Sequence, residues 1–203
     1  MLQQYDTALF DLGNVVFGVD FSLCCKYWEN ALGFDVTPYF EKFCKSPLNV
    51  LIEKGDITPR EYYEGLIADL KIDLSFEDFV IGFNQLYKDT YPDVASEIKR
   101  LAGTIKIAAL TNTNEIHSQI WPNRYKDVLQ YFDAIYSSSK LHMAKPDPEI
   151  YRYVLKDLGT DPSRVLYFDD LKENVEAARE LGITSCLVTS PKDVCDALKA
   201  LHK

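Results

Sequence analysis

Short apolar runs, each ending at polar or turn residues, recur at Thr7 to Phe10, Ile105 to Leu110, Ala134 to Tyr136, Val165 to Phe168 and Ser185 to Val188. Runs of this length and continuity predict strands buried on both faces, as in a parallel sheet. The later runs are separated by helical patterns. Pro92 to Ala102 carries Val94, Ile98 and Leu101 at helical spacing, with Gly103 behind them. Asp147 to Gly159 is sharper: Asp147 is placed to cap, Pro148 to occupy the first turn, Ile150, Val154, Leu155 and Leu158 to form the buried stripe, and Gly159 to stop the helix. Glu173 to Leu181 and Pro191 to Leu201 repeat the design. Strands alternating with helices of this length predict βαβ units and an α/β fold.

Between Gly18 and about Tyr91 the texture changes. Phe21 to Leu32, Thr37 to Phe43, Pro59 to Leu70 and Phe76 to Tyr87 are amphipathic at helical spacing, and no convincing strand separates them. The reading is a helical insert that starts directly after the first strand. Ligands of open α/β sheets bind beyond the carboxyl ends of the strands, so the insert is expected to lie over the site.

Composition narrows the partners. The 203 residues are 47% hydrophobic and 26% charged, the balance of a globular chain. Lys and Arg number 22 against 31 Asp and Glu, a formal charge of -9 that repels nucleic acid and anionic membrane surfaces. Neither a nucleic-acid nor a membrane partner is expected. A small anionic substrate remains compatible if the site supplies its own positive charge. Cys24, Cys25, Cys44, Cys186 and Cys195 make no C-x-x-C pair and are odd in number, so reduced thiols and a cytoplasmic location are expected.

Four places offer chemistry, all at or just past predicted strand ends. Asp11 closes the first apolar run, with Gly13 two residues on: a carboxylate that can attack an electrophile or bind a cation, beside backbone that can approach closely. Taken alone, Asp11 reads equally as a turn residue. Thr111 and Asn112, in Thr111-Asn112-Thr113-Asn114, offer a hydroxyl, an amide and backbone N–H groups to an anion, or else only a helix cap. Lys145 stands before a stiff Pro146-Asp147-Pro148 segment, where it can neutralise a phosphate or simply sit in solvent. Asp169 and Asp170 end the run Val165 to Phe168; two adjacent carboxylates there repel unless a divalent cation neutralises them, although they can also cap the next helix.

Together these residues resemble the four motifs of the haloacid dehalogenase (HAD) superfamily: Asp11 in the first, Thr111 in the second, Lys145 in the third, and Asp169 with Asp170 in the fourth. The resemblance spans nearly the whole chain, and the insert is similar to that family's C1-type helical cap. It implies a Rossmann-like core with a parallel sheet of order 5-4-1-2-3, formed by residues 1–17 and 91–203, and a cap of residues 18–90. It implies a Mg²⁺-dependent phosphatase in which Asp11 attacks phosphorus to form an aspartyl-phosphate. Asp11, the Gly13 carbonyl and Asp170 would hold Mg²⁺, with Asp169 and Asn174 around them. Thr111, Asn112 and Lys145 would hold the phosphoryl group, with Gly13, His117 and Trp121 beside the substrate. The partner implied is a small phosphorylated metabolite, met by a monomer or weak homodimer.

One position departs from that pattern. Family phosphatases usually carry a second aspartate two residues after the nucleophile as general acid and base, and here it is Gly13. Such help is worth about 10²- to 10⁴-fold, roughly 3 to 5 kcal/mol of barrier. Its absence calls either for a substitute, with His117, Glu53 or another insert residue as candidates, or for an easily expelled leaving group such as an anomeric sugar. The Asp-Leu-Gly-Asn-Val motif and the His117 to Pro122 segment resemble the branch that contains bacterial α-D-glucose-1-phosphate phosphatase, so a sugar phosphate is among the candidate substrates. A metal-free 2-haloacid dehalogenase and a non-catalytic binding module are the alternatives; the Asp169-Asp170 pair argues against the first.

Overall fold

The computed structural model describes residues 5–200, apart from the Ala200 side chain. The end of the predicted last helix, Leu201, lies outside the described residues. Five strands, β1 (Thr7–Phe10), β4 (Lys106–Thr111), β5 (Ala134–Ser137), β6 (Val165–Asp169) and β7 (Thr184–Leu187), form one parallel sheet in the order β5-β4-β1-β6-β7. Counted alone in chain order and read from β7, these five strands run 5-4-1-2-3. The labels differ because two short strands, β2 (Phe17–Val19) and β3 (Tyr87–Thr90), intervene as an antiparallel ribbon. No strand was expected there. A pairing of so few residues, 70 positions apart in the chain, leaves no local periodicity to read.

The sheet has helices on both faces because its apolar strands have side chains on both. Ala8, Phe10, Ile107, Ala109 and Phe168 share one core with Val94, Ile98 and Leu101 of α6 (Pro92–Leu101) and Val194 and Leu198 of α13 (Pro191–Ala200). Leu9, Ala108, Leu110, Val165 and Tyr167, one residue out of phase, join Ile150, Val154 and Leu158 of α11 (Pro148–Leu158) and Ala178 of α12 (Lys172–Glu180). This alternation is the period-2 geometry of a strand made visible in two separate cores. Helix α11 follows its predicted grammar: the Asp147 side chain accepts from the Glu149 N–H, and Gly159 ends it at φ 63°.

Five helices lie between β2 and β3: α1 (Ser22–Leu32), α2 (Thr37–Cys44), α3 (Leu48–Glu53), α4 (Pro59–Leu70) and α5 (Phe76–Phe83). Helix α3 was not anticipated. The predicted helix Phe76 to Tyr87 instead stops at Phe83, passes through a 3₁₀ turn at Asn84–Leu86 and becomes β3. Short helices α7 (Glu115–Ser118), α8 (Trp121–Arg124), α9 (Lys126–Leu129) and α10 (Ser138–Leu141) complete the chain. Aromatic residues of the insert, Trp28, Phe43, Tyr62, Phe79 and Phe83, belong to the same buried cluster as one face of the sheet. The link runs through Phe17, stacked on Tyr125 with ring centroids 3.7 Å apart.

No helix among the described residues is long and apolar enough to cross a membrane. All five cysteines are free.

Gly82 of α5 shows how tightly the insert is packed. A Cβ there would come within 2.2 Å of the Trp28 Nε1, which donates to the Phe79 carbonyl. Gly82→Ala is therefore expected to lower stability by about 1–3 kcal/mol through overpacking, despite alanine's better helix propensity. The urea midpoint checks this, and an unchanged midpoint would show that Trp28 can move aside.

Candidate active site

Strand register brings the acidic residues together. Phe10 pairs with Phe168, and the Asp11 N–H donates to the Phe168 carbonyl at 2.8 Å, so the next step of the same register sets Asp11 opposite Asp169. Thr111 ends β4 on the other side of β1. Asp11, Gly13, Thr111, Asn112, Lys145, Asp170, Asn174, His117 and Trp121 all line one cavity of about 420 Å³ at the carboxyl rim of the sheet, and insert residues such as Glu53 and Phe43 form its other wall.

Lys145 is the centre of the cluster. It is 5% exposed, and its Nζ donates to Asp11 Oδ1 and to Asp169 Oδ2, each at 2.7 Å. Burial by itself would lower its pKa, but the two carboxylates outweigh burial and raise it, so the ammonium stays charged. An ammonium has three donors, and one remains for a ligand. The Lys145–Pro146 peptide is cis. The lysine's main chain is gripped by Asn112, whose Oδ1 accepts from the Lys145 N–H at 2.9 Å while its Nδ2 donates to the Lys145 carbonyl at 3.0 Å. The Asn112 side chain thus positions Lys145, and its Nδ2 also reaches Glu53 Oε2 at 3.5 Å.

Asp169 is fully buried, and all four of its acceptor positions are taken. Oδ2 accepts from Lys145 and the Tyr167 hydroxyl, while Oδ1 accepts from the Leu171 N–H at 2.9 Å and Asn174 Nδ2 at 3.0 Å. A carboxylate so occupied has no lone pair to offer a cation, so although Asp169 belongs to the metal motif it stands, with Asn174, around the groups that could hold one and not among them. It does not cap α12 by its own side chain at the N-cap either, since that position is Leu171.

Asp170 is half-buried and freer. Its Oδ2 accepts from Asn14 Nδ2 at 3.0 Å, and Asn14 in turn accepts from the Val19 N–H while holding φ at 56°. Burial raises the Asp170 pKa, with Asp169 adding to it and Asn14 and Lys145 opposing. Burial also pushes the Asp11 carboxyl up; Lys145 opposes, and Asp169 and Asp170 add to the rise. In the turn between them, the N–H groups of Val15, Val16 and Phe17 go to the Leu12 carbonyl and that of Asn14 to the Phe17 carbonyl, none to Gly13.

Three carboxylates therefore face one lysine. The excess negative charge, the second Asp11 oxygen, Asp170 and the Gly13 carbonyl suit a hard divalent cation that keeps several waters, as Mg²⁺ does. Among the described residues no group of three or more His, Cys, Asp or Glu side chains has metal-holding geometry. The donor set here is smaller, two carboxylates and a backbone oxygen.

His117 and Trp121 line the cavity but are occupied or enclosed. His117 packs tilted against Phe83 with ring centroids 4.2 Å apart, its Nδ1 meets Asn84 Oδ1 at 3.0 Å, and burial lowers its pKa to about 3. Burial disfavours its charged form, and its Nδ1 is engaged with Asn84, so it is not a free proton carrier at this site. Asn114 supplies the helix cap foreseen for this loop, its Oδ1 accepting from the His117 N–H. Trp121 is buried, and its Nε1 has no hydrogen-bond partner among the described residues.

Sequence reading missed Tyr167, Asn14 and Ser138. Tyr167 looks like one more apolar strand residue, and only the fold shows its hydroxyl on Asp169. Asn14 carried a signal in its Asn-after-Gly turn position, but its partner Asp170 is 156 residues away.

Lys145→Met is expected to cost about 3–5 kcal/mol in metal-free protein, because it strands two buried carboxylates. Urea unfolding at neutral pH measures it. A loss below about 1 kcal/mol would mean that the carboxylates are neutralised in some other way.

The profile of the haloacid dehalogenase-like hydrolases matches residues 5–182. A HAD family enzyme from Bacteroides thetaiotaomicron, solved in complex with magnesium and inorganic phosphate, superposes with a TM-score of 0.77 at 28% identity, covering 92% of this chain and 95% of that one. A sesquiterpene phosphatase of Aspergillus oryzae is 28% identical over 99% of this chain and 98% of its own. Drimenol cyclase of Aspergillus calidoustus is 27% identical over 92% of this chain, which spans only 34% of that protein. With the motif residues converging at the rim of the expected sheet, the chain belongs to the haloacid dehalogenase-like hydrolases.

Proposed function

We propose that this hydrolase is a Mg²⁺-dependent phosphomonoesterase of small phosphorylated metabolites, with residues 1–17 and 91–203 as its catalytic core and 18–90 as its cap. The observation that carries the proposal is the Lys145 ammonium shared between Asp11 and Asp169, with Asp170 alongside, at the floor of one cavity. The magnesium–phosphate complex of the Bacteroides relative and the phosphatase from Aspergillus support it. A dehalogenase without metal would leave three clustered carboxylates facing a single lysine.

In this reading an Asp11 oxygen attacks phosphorus, the bond to the leaving oxygen breaks, and an aspartyl-phosphate forms that water then hydrolyses. The third donor of Lys145 and the Thr111 hydroxyl hold the phosphoryl oxygens as charge develops on them. Asp169, itself pinned by Tyr167, Leu171 and Asn174, aims the lysine. Mg²⁺, held by Asp11, Asp170 and the Gly13 carbonyl, would neutralise the surplus negative charge and so keep Asp11 ionised despite its burial. The insert excludes water from the reacting group. Its wall includes Phe43, Phe83 and Tyr87, with Trp121 of the core lining the same cavity, which suits the apolar faces of a sugar or a more hydrophobic alcohol.

Asp11→Asn is expected to reduce hydrolysis of sugar and aryl phosphates by on the order of 10³-fold or more. Chelation is expected to abolish the wild-type rate and added Mg²⁺ to restore it. Phosphate release across a metabolite panel, with and without metal, checks both; full activity in the variant would remove Asp11 as nucleophile.

A further inference from the structure

The departure at Gly13 leaves the leaving oxygen without its usual proton donor, and the insert places a carboxyl in the lining of the cavity that holds Asp11. Glu53 ends α3 and lines the same cavity. Its main chain is held there, and its carboxylate forms no ion pair among the described residues. The Ser138 Oγ donates to the Glu53 carbonyl at 2.6 Å and accepts from the Thr113 N–H at 2.9 Å, joining the end of α3 to the loop that follows Thr111. Two residues on, Gly55 at φ 67° passes so close to the core that a Cβ would lie 2.5 Å from the Ser139 carbonyl. The tip of the insert is thus seated on the rim, and Glu53 with it. The side chain's hydrogen-bonding neighbour is the Asn112 amide, at a loose 3.5 Å.

We propose that Glu53 is the general acid and base of the reaction, supplied by the insert in place of the aspartate that Gly13 replaces; this rests on the phosphomonoesterase reading. In the first step Asp11 attacks phosphorus, the phosphorus–oxygen bond to the alcohol breaks, its electron pair goes to the departing oxygen, and the Glu53 carboxyl gives that oxygen its proton. In the second step the Glu53 carboxylate takes a proton from water as the water oxygen bonds phosphorus. The phosphorus–Asp11 bond breaks, phosphate leaves, and both carboxyl groups return to their starting states.

The electrostatics suit the task. Burial raises the Glu53 pKa and Lys145 partly opposes it, so the protonated form persists to higher pH than for an ordinary glutamate. Tyr62 on α4, whose pKa is raised by burial and by Glu53, His117 on α7 and the Cys44 thiol of α2, raised by burial, are neutral around it, while the ionisable groups that share its cavity are Lys145, Asp11 and Asp170 of the core. The exposed pair of Asp56 and His142, 3.9 Å apart, lies on the outer side of the same turn.

The test compares benzyl phosphate, whose alcohol needs a proton to leave, with 4-nitrophenyl phosphate, whose phenolate does not. Glu53→Gln is expected to lower kcat/KM for benzyl phosphate by about 10²- to 10⁴-fold and to leave that for 4-nitrophenyl phosphate within about threefold of wild type. The kcat for 4-nitrophenyl phosphate should also fall, with a burst of nitrophenolate, because water attack loses its base. In the wild type, kcat/KM for benzyl phosphate should drop with rising pH where that for 4-nitrophenyl phosphate does not; this comparison needs no folded variant. Equal losses on both substrates, or none, together with parallel pH profiles, would overturn the role of Glu53. A wild-type protein inactive on every phosphate ester with Mg²⁺ would instead overturn the phosphomonoesterase reading beneath it.

Discussion

The site depends on one buried ammonium. Lys145 is bound at 2.7 Å by carboxylates from two neighbouring strands, and neither Asp11 nor Asp169 could be so buried without it. Desolvating three charges together is costly, and the arrangement is supported by neutral partners: Tyr167, Leu171 and Asn174 bond the Asp169 carboxylate, and Asn112 fixes the lysine's main chain. That shell makes the lysine a fixed feature of the floor and not a mobile counter-ion. It also sets the charge balance, since Asp170 and the second oxygen of Asp11 stay outside the lysine's two ion pairs.

Architecture explains why these groups meet. Parallel strands all deliver their carboxyl ends to the same rim, and β1 lies between β4 and β6, so the residue after β1 has Thr111 on one side and Asp169 on the other. The two sheet faces are buried by separate helical layers, which leaves the rim as the place where polar groups can gather. The insert closes that rim. Its aromatic core is continuous with one face of the sheet, and its tip is seated by Ser138 and the Gly55 turn, so the insert's share of the cavity wall is held in place by packing as well as by hydrogen bonds.

Much of this was legible before any coordinates. The five sheet strands were read from their apolar runs within a residue or so at each end. Ile105, read as the start of β4, instead bridges Ala102, and Thr111 is drawn into the strand by pairing with Ser137. The helix Pro148–Leu158 announced itself through cap, proline, stripe and glycine. The ribbon of β2 and β3 and the short α3 were not legible, because each is stabilised by partners far away in the chain and not by a local pattern.

Residue types and their order along the chain were enough to establish an α/β fold, a helical insert and a set of chemistry-bearing positions at strand ends, because hydrophobic periodicity and turn grammar are local properties. What each of those side chains is committed to was decided only in three dimensions. Whether Asp169 faces a cation or is filled by four donors, whether the Asn112 amide reaches a ligand or grips Lys145, whether His117 titrates near neutrality, and where Glu53 lies all follow from distances between residues remote in the chain. Burial and hydrogen-bond occupancy are properties of the packed assembly, and no stretch of sequence carries them alone.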